Sequence, residues 1–464
     1  MGDPLDGQRS PNALLKDTIT ASGATYETLA ATIRTVAAEA GDAIRTNRSA
    51  VAHWVRGAQP NEATAGYLLE ALSRLLGRPV GPQEIGLEDT SPDGAHEWRV
   101  DTLAALHELG GVDLDLRRRR ALTAAAYSIT ALSVPASPWW ARMAEQSASR
   151  PATSRRSVGR RDLEAVRDMV AMFSRIDQRH GGGHARGAVV QYLTTDVSAY
   201  MHGRFTDDGV RREMFSAAGE LAYLSGWMAF DNAEHPVAQK YFTTAVSLAA
   251  EADDAPLAGH ILRAMAHQAV DLGHPRRALS VASASMEGAR YALASKRERA
   301  LLGVVYARAL AASNQKSAAA AALLRAEDDL ASAQPGDIEP SRVFFFSEAS
   351  LAHETACTLR DSGDLSAAQR QFRRSVRTRK AESFTRTHAV TLGYLGAVQA
   401  RQGAIEEACG TWSDALDAMD GIHSARTRRT VTDMRRVLAT VRGRGIGAVA
   451  DLDRRASQYL AESV

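Results

Sequence analysis

The sequence predicts an all-α protein: an N-terminal helix-turn-helix domain followed by an α-solenoid of helical hairpins. Three observations predict it. Alanine is abundant while aromatic residues are only 6% of the chain, a combination that lets helices pack closely through small side chains. Short amphipathic segments bounded by capping residues fill positions 12–90. From about residue 160 onward one spaced pattern recurs five times. With 464 residues, 45% hydrophobic and 24% charged, the chain has material for two or more soluble globular units.

Residues 1–11 are rich in Gly, Pro and Asp and read as a disordered tail. A first helix is expected over 12–21. Thr25 caps a second, which carries Leu29, Ile33 and Val36 at helical spacing and ends at Gly41. Thr46 or Asn47 caps a third over 48–56, closed by Gly57. Pro60 and Asn61 form a turn, 63–76 a fourth helix and 82–87 a short last one. Residues 91–160 read as a basic connector. Its apolar run over 121–134 follows four arginines and mimics an export signal, but it lies deep in the chain and is shorter than the ~20 residues of a membrane span. It reads as a buried helix. The Ser/Arg/Pro-rich stretch 147–156 reads as exposed linker.

The repeat places a small residue first, a turn residue seven positions on, then small, bulky and small residues at intervals of five, four and three. It runs through Gly226, Ala233, Ala238, Phe242 and Ala245, and then through Ala266, Gly273, Ala278, Ala282 and Ser285. The third copy is Ala307, Asn314, Ala319, Leu323 and Ala326; the fourth is Ala356, Gly363, Ala368, Phe372 and Ser375. The fifth is Gly396, Gly403, Ala408, Trp412 and Ala415. The physical unit is a helical hairpin: small residues let two helices touch, Gly or Asn makes the turn, and the bulky residue fills the gap to the next unit. The offsets match the tetratricopeptide consensus, and the repeat domain spans 161–442, with a C-terminal helix over 443–464.

Order and chemistry within residues 25–57 fit a helix-turn-helix whose second helix enters the DNA major groove. Asn47, Arg48 and Ser49 stand at the start of that helix, where Arg pairs with guanine and Asn with adenine, and His53 lies one turn on. Arg34, Arg45 and Arg56 are candidates for phosphate contacts, while Trp54 reads as core. The loop before Arg48 is longer than in a minimal motif. Overall charge is balanced, 56 basic residues against 54 acidic ones, but unevenly distributed. Residues 1–90 carry eight basic and eleven acidic residues, net −3. Residues 117–186 carry fourteen arginines against five acids, net +9. The latter fits extra DNA-backbone contact or an acidic partner, or else a solvated linker.

Residues 25–57 and 63–87, Arg179-His-Gly-Gly-Gly183, Gly219-Glu-Leu-Ala-Tyr-Leu-Ser-Gly-Trp-Met-Ala-Phe230 and Ala238-Gln-Lys-Tyr-Phe242 together resemble actinobacterial transcriptional regulators. These join an Xre-type helix-turn-helix to a tetratricopeptide sensor domain. The resemblance covers most of residues 12–420. It implies a cytoplasmic DNA-binding regulator of the kind linked to sporulation and antibiotic production. The architecture is also similar to that of peptide-responsive quorum-sensing regulators.

With this repeat phase, the first helix of each hairpin lines the concave surface. Tyr223, Trp227, Asp231, Arg263, His267, Asp271, Arg308, His353 and Arg360 then face a peptide, small-molecule or protein effector. Chemistry of catalysis is absent from the pattern. His180 and His184 lack a third ligand, His107-Glu108 lacks a zincin's second histidine, and Gly443–Gly447 follows no strand. Cys357 and Cys409 form no disulfide or zinc framework. The expectation is a non-enzyme without metal or cofactor, cytoplasmic and off the membrane. It would bind double-stranded DNA as a homodimer on paired half-sites. The alternative is an interaction scaffold without sequence-specific DNA binding.

Overall fold

The computed structural model describes residues 11–39, 42–78, 80–87, 98, 100–115, 118–119, 127–129, 132–441 and 447–462. Over these the chain is all-α; among the described residues the only strands are a parallel pair, Ser157–Val158 beside Arg204–Phe205. No helix among them is long and apolar enough to cross a membrane.

The N-terminal unit is built from α1 (Ala13–Ala21), α2 (Tyr26–Glu39), α3 (Arg48–Val55), α4 (Glu62–Leu76) and a 3-10 turn at Pro82–Ile85. Asn12, Asn47 and Asn61 cap α1, α3 and α4, each accepting a backbone N–H of the first turn, and the Thr25 hydroxyl accepts from Thr28 N. Helix ends carry orphan N–H groups, so these short polar side chains set where the helices begin. The unit closes on its own core, in which Leu15, Leu29, Ile33, Val51, Trp54, Tyr67 and Leu72 are buried.

The described part of the connector is docked rather than free. α5 (Thr102–Leu114) and α6 (Ser137–Ser149) add Leu103, Leu106, Trp139 and Met143 to the main core. The segment expected as linker from residue 147 begins inside α6, and Arg150 pairs with Asp101 and Glu251 at 2.6 and 2.9 Å. The expected helix over 121–134 lies partly outside the described residues. Its described members Tyr127, Ile129 and Leu132 are buried, but 127–129 are not helical. Their backbone instead meets side chains: Ser128 N donates to Gln239 (2.9 Å) and Ile129 N to Glu70 (3.0 Å). Glu70 and the Tyr127–His274 ring stack thereby join the N-terminal unit to the rest. The tail before residue 11 lies outside the described residues.

α7 (Arg160–His180) and α8 (Gly182–Tyr192) lead into five hairpins. These are α9 (Asp208–Asp231) with α10 (His235–Glu251), α11 (Ala255–Asp271) with α12 (Pro275–Ser285), and α13 (Lys296–Ala312) with α14 (Lys316–Ser332). α15 (Glu348–Ser362) with α16 (Leu365–Thr378) and α17 (Thr385–Arg401) with α18 (Ile405–Ala418) complete them, followed by α19 (Ala425–Val441) and α20 (Gly447–Glu462). The five turn residues of the repeat, Ala233, Gly273, Asn314, Gly363 and Gly403, all adopt left-handed backbone, with φ of 61°, 79°, 61°, 92° and 87°. Small residues face bulky ones as the spacing requires: a Cβ on Gly226 would lie 2.7 Å from the Phe242 ring and one on Gly396 2.5 Å from Trp412.

The series then closes on itself. Arg386 at the start of α17 bonds Asp177 of α7 and Asp231 of α9, both at 3.1 Å. His423 N donates to His180 O and Gly183 N to His423 O. Gly181, at φ 86°, fits here because a Cβ would sit 2.5 Å from His423 O. The fourth repeat starts late because the chain between α14 and α15, residues 333–347, leaves the hairpin. Arg342 anchors that strap to Glu298 at 2.7 and 3.1 Å.

Candidate functional site

Two places answer to the sequence reading, the surface of α3 and the interior enclosed by the hairpins. On the N-terminal unit the cations divide into two groups. Arg74 is clamped between Glu39 and Glu70, Arg78 pairs with Glu84, and Arg34 pairs with Glu27 at 3.6 Å. Arg45, Arg48 and Arg56, by contrast, are exposed, and no described carboxylate lies within 4 Å of them. Ser49 and His53 share the exposed face of α3.

Two of the expected contacts need correction. The Asn47 side-chain oxygen accepts the N–H of Ala50 at 3.0 Å, so it serves the cap and is not free for two-point pairing with adenine. Arg34 donates to Thr46 O at 2.5 Å. It braces the loop before α3 instead of reaching for a phosphate. Arg56 bonds Ala52 O through its Nε yet remains exposed.

Part of the basic excess of 117–186 is neutralised by acids from other elements. Arg119 and Arg186 meet Asp113 and Glu234, Arg150 meets Glu251, Arg160 meets Glu213 and Arg167 meets Glu220. Arg117 and Arg120 lie outside the described residues.

The interior holds a cavity of about 90 Å³ lined by α7 and by the first helices of the hairpins, with the strap across it. Of the expected ligand residues, Tyr223, Trp227, Arg263, His267 and His353 line it. Arg263 is 2% exposed. It donates to the Tyr223 hydroxyl at 2.9 Å, lies 3.1 Å from His260 Nε2 and packs 5.6 Å from the Trp227 ring centre. His353 contacts the Thr391 hydroxyl at 2.8 Å, and burial lowers its pKa to about 3, so it is neutral.

The other four are held in ion pairs outside the cavity lining. Asp271 takes Arg308 at 2.6 Å, Arg360 pairs with Asp361 at 2.8 Å, and Asp231 is fixed by Arg386 and by the N–H of Gly182 at 3.0 Å. These groups are structural: removing two charges from water demands such partners.

Sequence spacing missed Asp177, Arg342, Phe344, Phe345, Phe346, Glu354, Arg379, Arg386 and Arg426, which also line the cavity. Most sit outside the repeated positions, on α7, the strap or helix starts, so no periodic signal marks them. Arg379 is 8% exposed and donates to Ala349 O and the Ser375 hydroxyl. Burial lowers its pKa to about 10, with only Glu354 countering from a distance. Around the same cavity, side-chain nitrogens or oxygens of Trp227, Arg263, Glu354 and Arg379 are buried without a hydrogen-bond partner.

His180 and His184 have ring centres 5.0 Å apart, and His423 stacks on His184 at 6.3 Å. Among the described residues no group of three or more His, Cys, Asp and Glu is arranged to hold a metal ion. Cys357 and Cys409 are buried and free.

Residues 15–88, which hold the N-terminal unit, are similar to the family described as the SP15 N-terminal domain. No curated protein matches the chain.

Proposed function

We propose that the protein is a DNA-binding transcriptional regulator. α3 reads the operator, and a tetratricopeptide-like domain senses a small-molecule effector in its interior and supports a homodimer. The observation that carries this reading is the segregation of charge on the N-terminal unit. Over residues 11–87 seven basic and seven acidic side chains balance; Arg34, Arg74 and Arg78 are paired with carboxylates, while Arg45, Arg48 and Arg56 stay exposed and unpaired around one short helix. Phosphate attraction requires such a local cluster, since the bulk charge of the unit supplies none.

Arg48 and Ser49, in the first turn of α3, take the base edges, with His53 one turn on; Arg45 and Arg56 take phosphates. Effector binding acts by favouring one placement of this unit over another. A route exists through α11, since His267 lines the cavity near the end of that helix and His274, just after the following turn, stacks on Tyr127 and lies 4.0 Å from Glu70. The partly open cavity, about 90 Å³, has room for a small molecule, which favours a small molecule over a peptide as effector.

The net acidity of residues 1–90 supports a second reading, an adaptor that holds an acidic protein on the α3 face. Genome-wide crosslinking of the tagged protein to DNA separates the two. The regulator reading expects discrete sites sharing one sequence motif; enrichment indistinguishable from an untagged control rejects it.

A further inference from the structure

We infer that the interior is a binding site for a small organic anion with an apolar ring, its carboxylate or phosphate held by Arg263 and Arg379. This deepens the effector half of the proposed function and rests on that reading only in calling the ligand an effector.

The lining carries five arginines, at 263, 342, 379, 386 and 426, against three carboxylates, Asp177, Glu220 and Glu354. Arg386 and Arg342 are answered by acids within 4 Å, and Arg426, which has none within that distance among the described residues, is only partly buried and packs 5.6 Å from the Phe230 ring centre. Arg263 and Arg379 are not answered: among the described residues no carboxylate comes within 4 Å of either, and both are at least nine-tenths buried. Each retains an Nε without an acceptor.

A buried guanidinium with neither counter-charge nor a full set of acceptors is costly, and proteins avoid it unless something else supplies the anion. His353, held neutral, cannot serve as that counter-charge or as a third cation. An anionic head group supplies both the charge and the missing acceptors, and guanidinium matches carboxylate or phosphate in two-point geometry.

The rest of the lining describes the body of the ligand. Trp227, Phe345 and Leu301 give apolar walls, and the Trp227 indole N–H and Glu354 Oε2 lack hydrogen-bond partners. A planar apolar ring with one polar substituent fits this set.

The test needs no DNA, so its failure is separable from failure of the operator reading. Phenylacetate, phenyl phosphate and neutral phenylacetamide are titrated into the full chain at constant ionic strength, following Tm and Trp fluorescence. The expected result is a saturable rise in Tm with at least one of the two anions and none with the amide. Arg263→Met and Arg379→Met are expected to weaken that binding by at least ~10-fold, the worth of a charge-assisted hydrogen bond. They should also leave the ligand-free Tm equal to or above that of the parent, because each deletes an uncompensated buried charge.

Anions that act no better than the amide, or that act equally on the variants, overturn the site. So does a lowered ligand-free Tm in both variants together with unchanged anion binding, which would make these arginines purely structural.

Discussion

Arginine plays two parts in this molecule, and burial with partnership separates them. Arg342 and Arg386 are buried and answered by carboxylates on distant elements: Glu298 for the first, Asp177 and Asp231 for the second. Arg342→Ala would strand Glu298, which is wholly buried. Burial alone would raise its pKa, but Arg342 and His260 outweigh that and hold it at about 2. We expect a loss of ~3–5 kcal/mol in urea denaturation; a loss under 1 kcal/mol would show that the strap is not anchored there. Such roles were not legible in the sequence. Arg386 and Asp177 are 209 positions apart, and nothing local in either segment announces its partner. The place of Arg48 at the start of a short helix was legible, because cap, helix start and C-terminal glycine are all local signals.

At the scale of elements the hairpin turns give the sharpest reading. The seventh position of each repeat was recognisable because Gly or Asn stood there in four copies, and all five are left-handed. Ala233 is the exception in chemistry but not in conformation. A Cβ in left-handed backbone costs ~1–2 kcal/mol, against roughly 0.5–1 kcal/mol of extra chain entropy for glycine. Ala233→Gly is therefore expected to stabilise by up to ~1 kcal/mol, and Gly403→Ala to destabilise by ~1 kcal/mol; opposite signs in thermal denaturation would dismiss the turn assignment. On the N-terminal unit, Asn47→Ala removes the α3 cap and should cost ~1 kcal/mol. The strap was visible only as a lengthened interval of 49 residues between the third and fourth copies. The interval could not say that the extra chain crosses the cavity, since that depends on Glu298 and Glu220 waiting on other hairpins.

The whole molecule is a closed arrangement whose interior disfavours protonated imidazole. Burial, the largest cause in each case, lowers His235 and His260 to about 4 and His274 and His353 to about 3. Unfolded, these histidines take protons below their ordinary value of 6.5, so stability falls as pH drops from about 6.5 towards 4. Burial raises Glu70 to about 7 and Asp177 to about 6. Their contribution has the opposite sign: it is present at low pH and lost as pH rises through those values. Four histidines against two carboxylates leave a net uptake of about two protons on unfolding near pH 5.5. Tm should therefore fall steeply between pH 7 and 5, and a flat or rising profile would contradict the buried neutral histidines.

At the same scale lies the proposal that α3 reads DNA. Its most direct measurement is electrophoretic retardation of the protein's own promoter fragment, with unrelated duplex as competitor. The parent chain is expected to hold that fragment selectively at physiological salt. Arg48→Ala should lose the selectivity, with a cost of ~1–3 kcal/mol, while keeping its helicity. Equal selectivity in the variant, or none in the parent, would contradict the account.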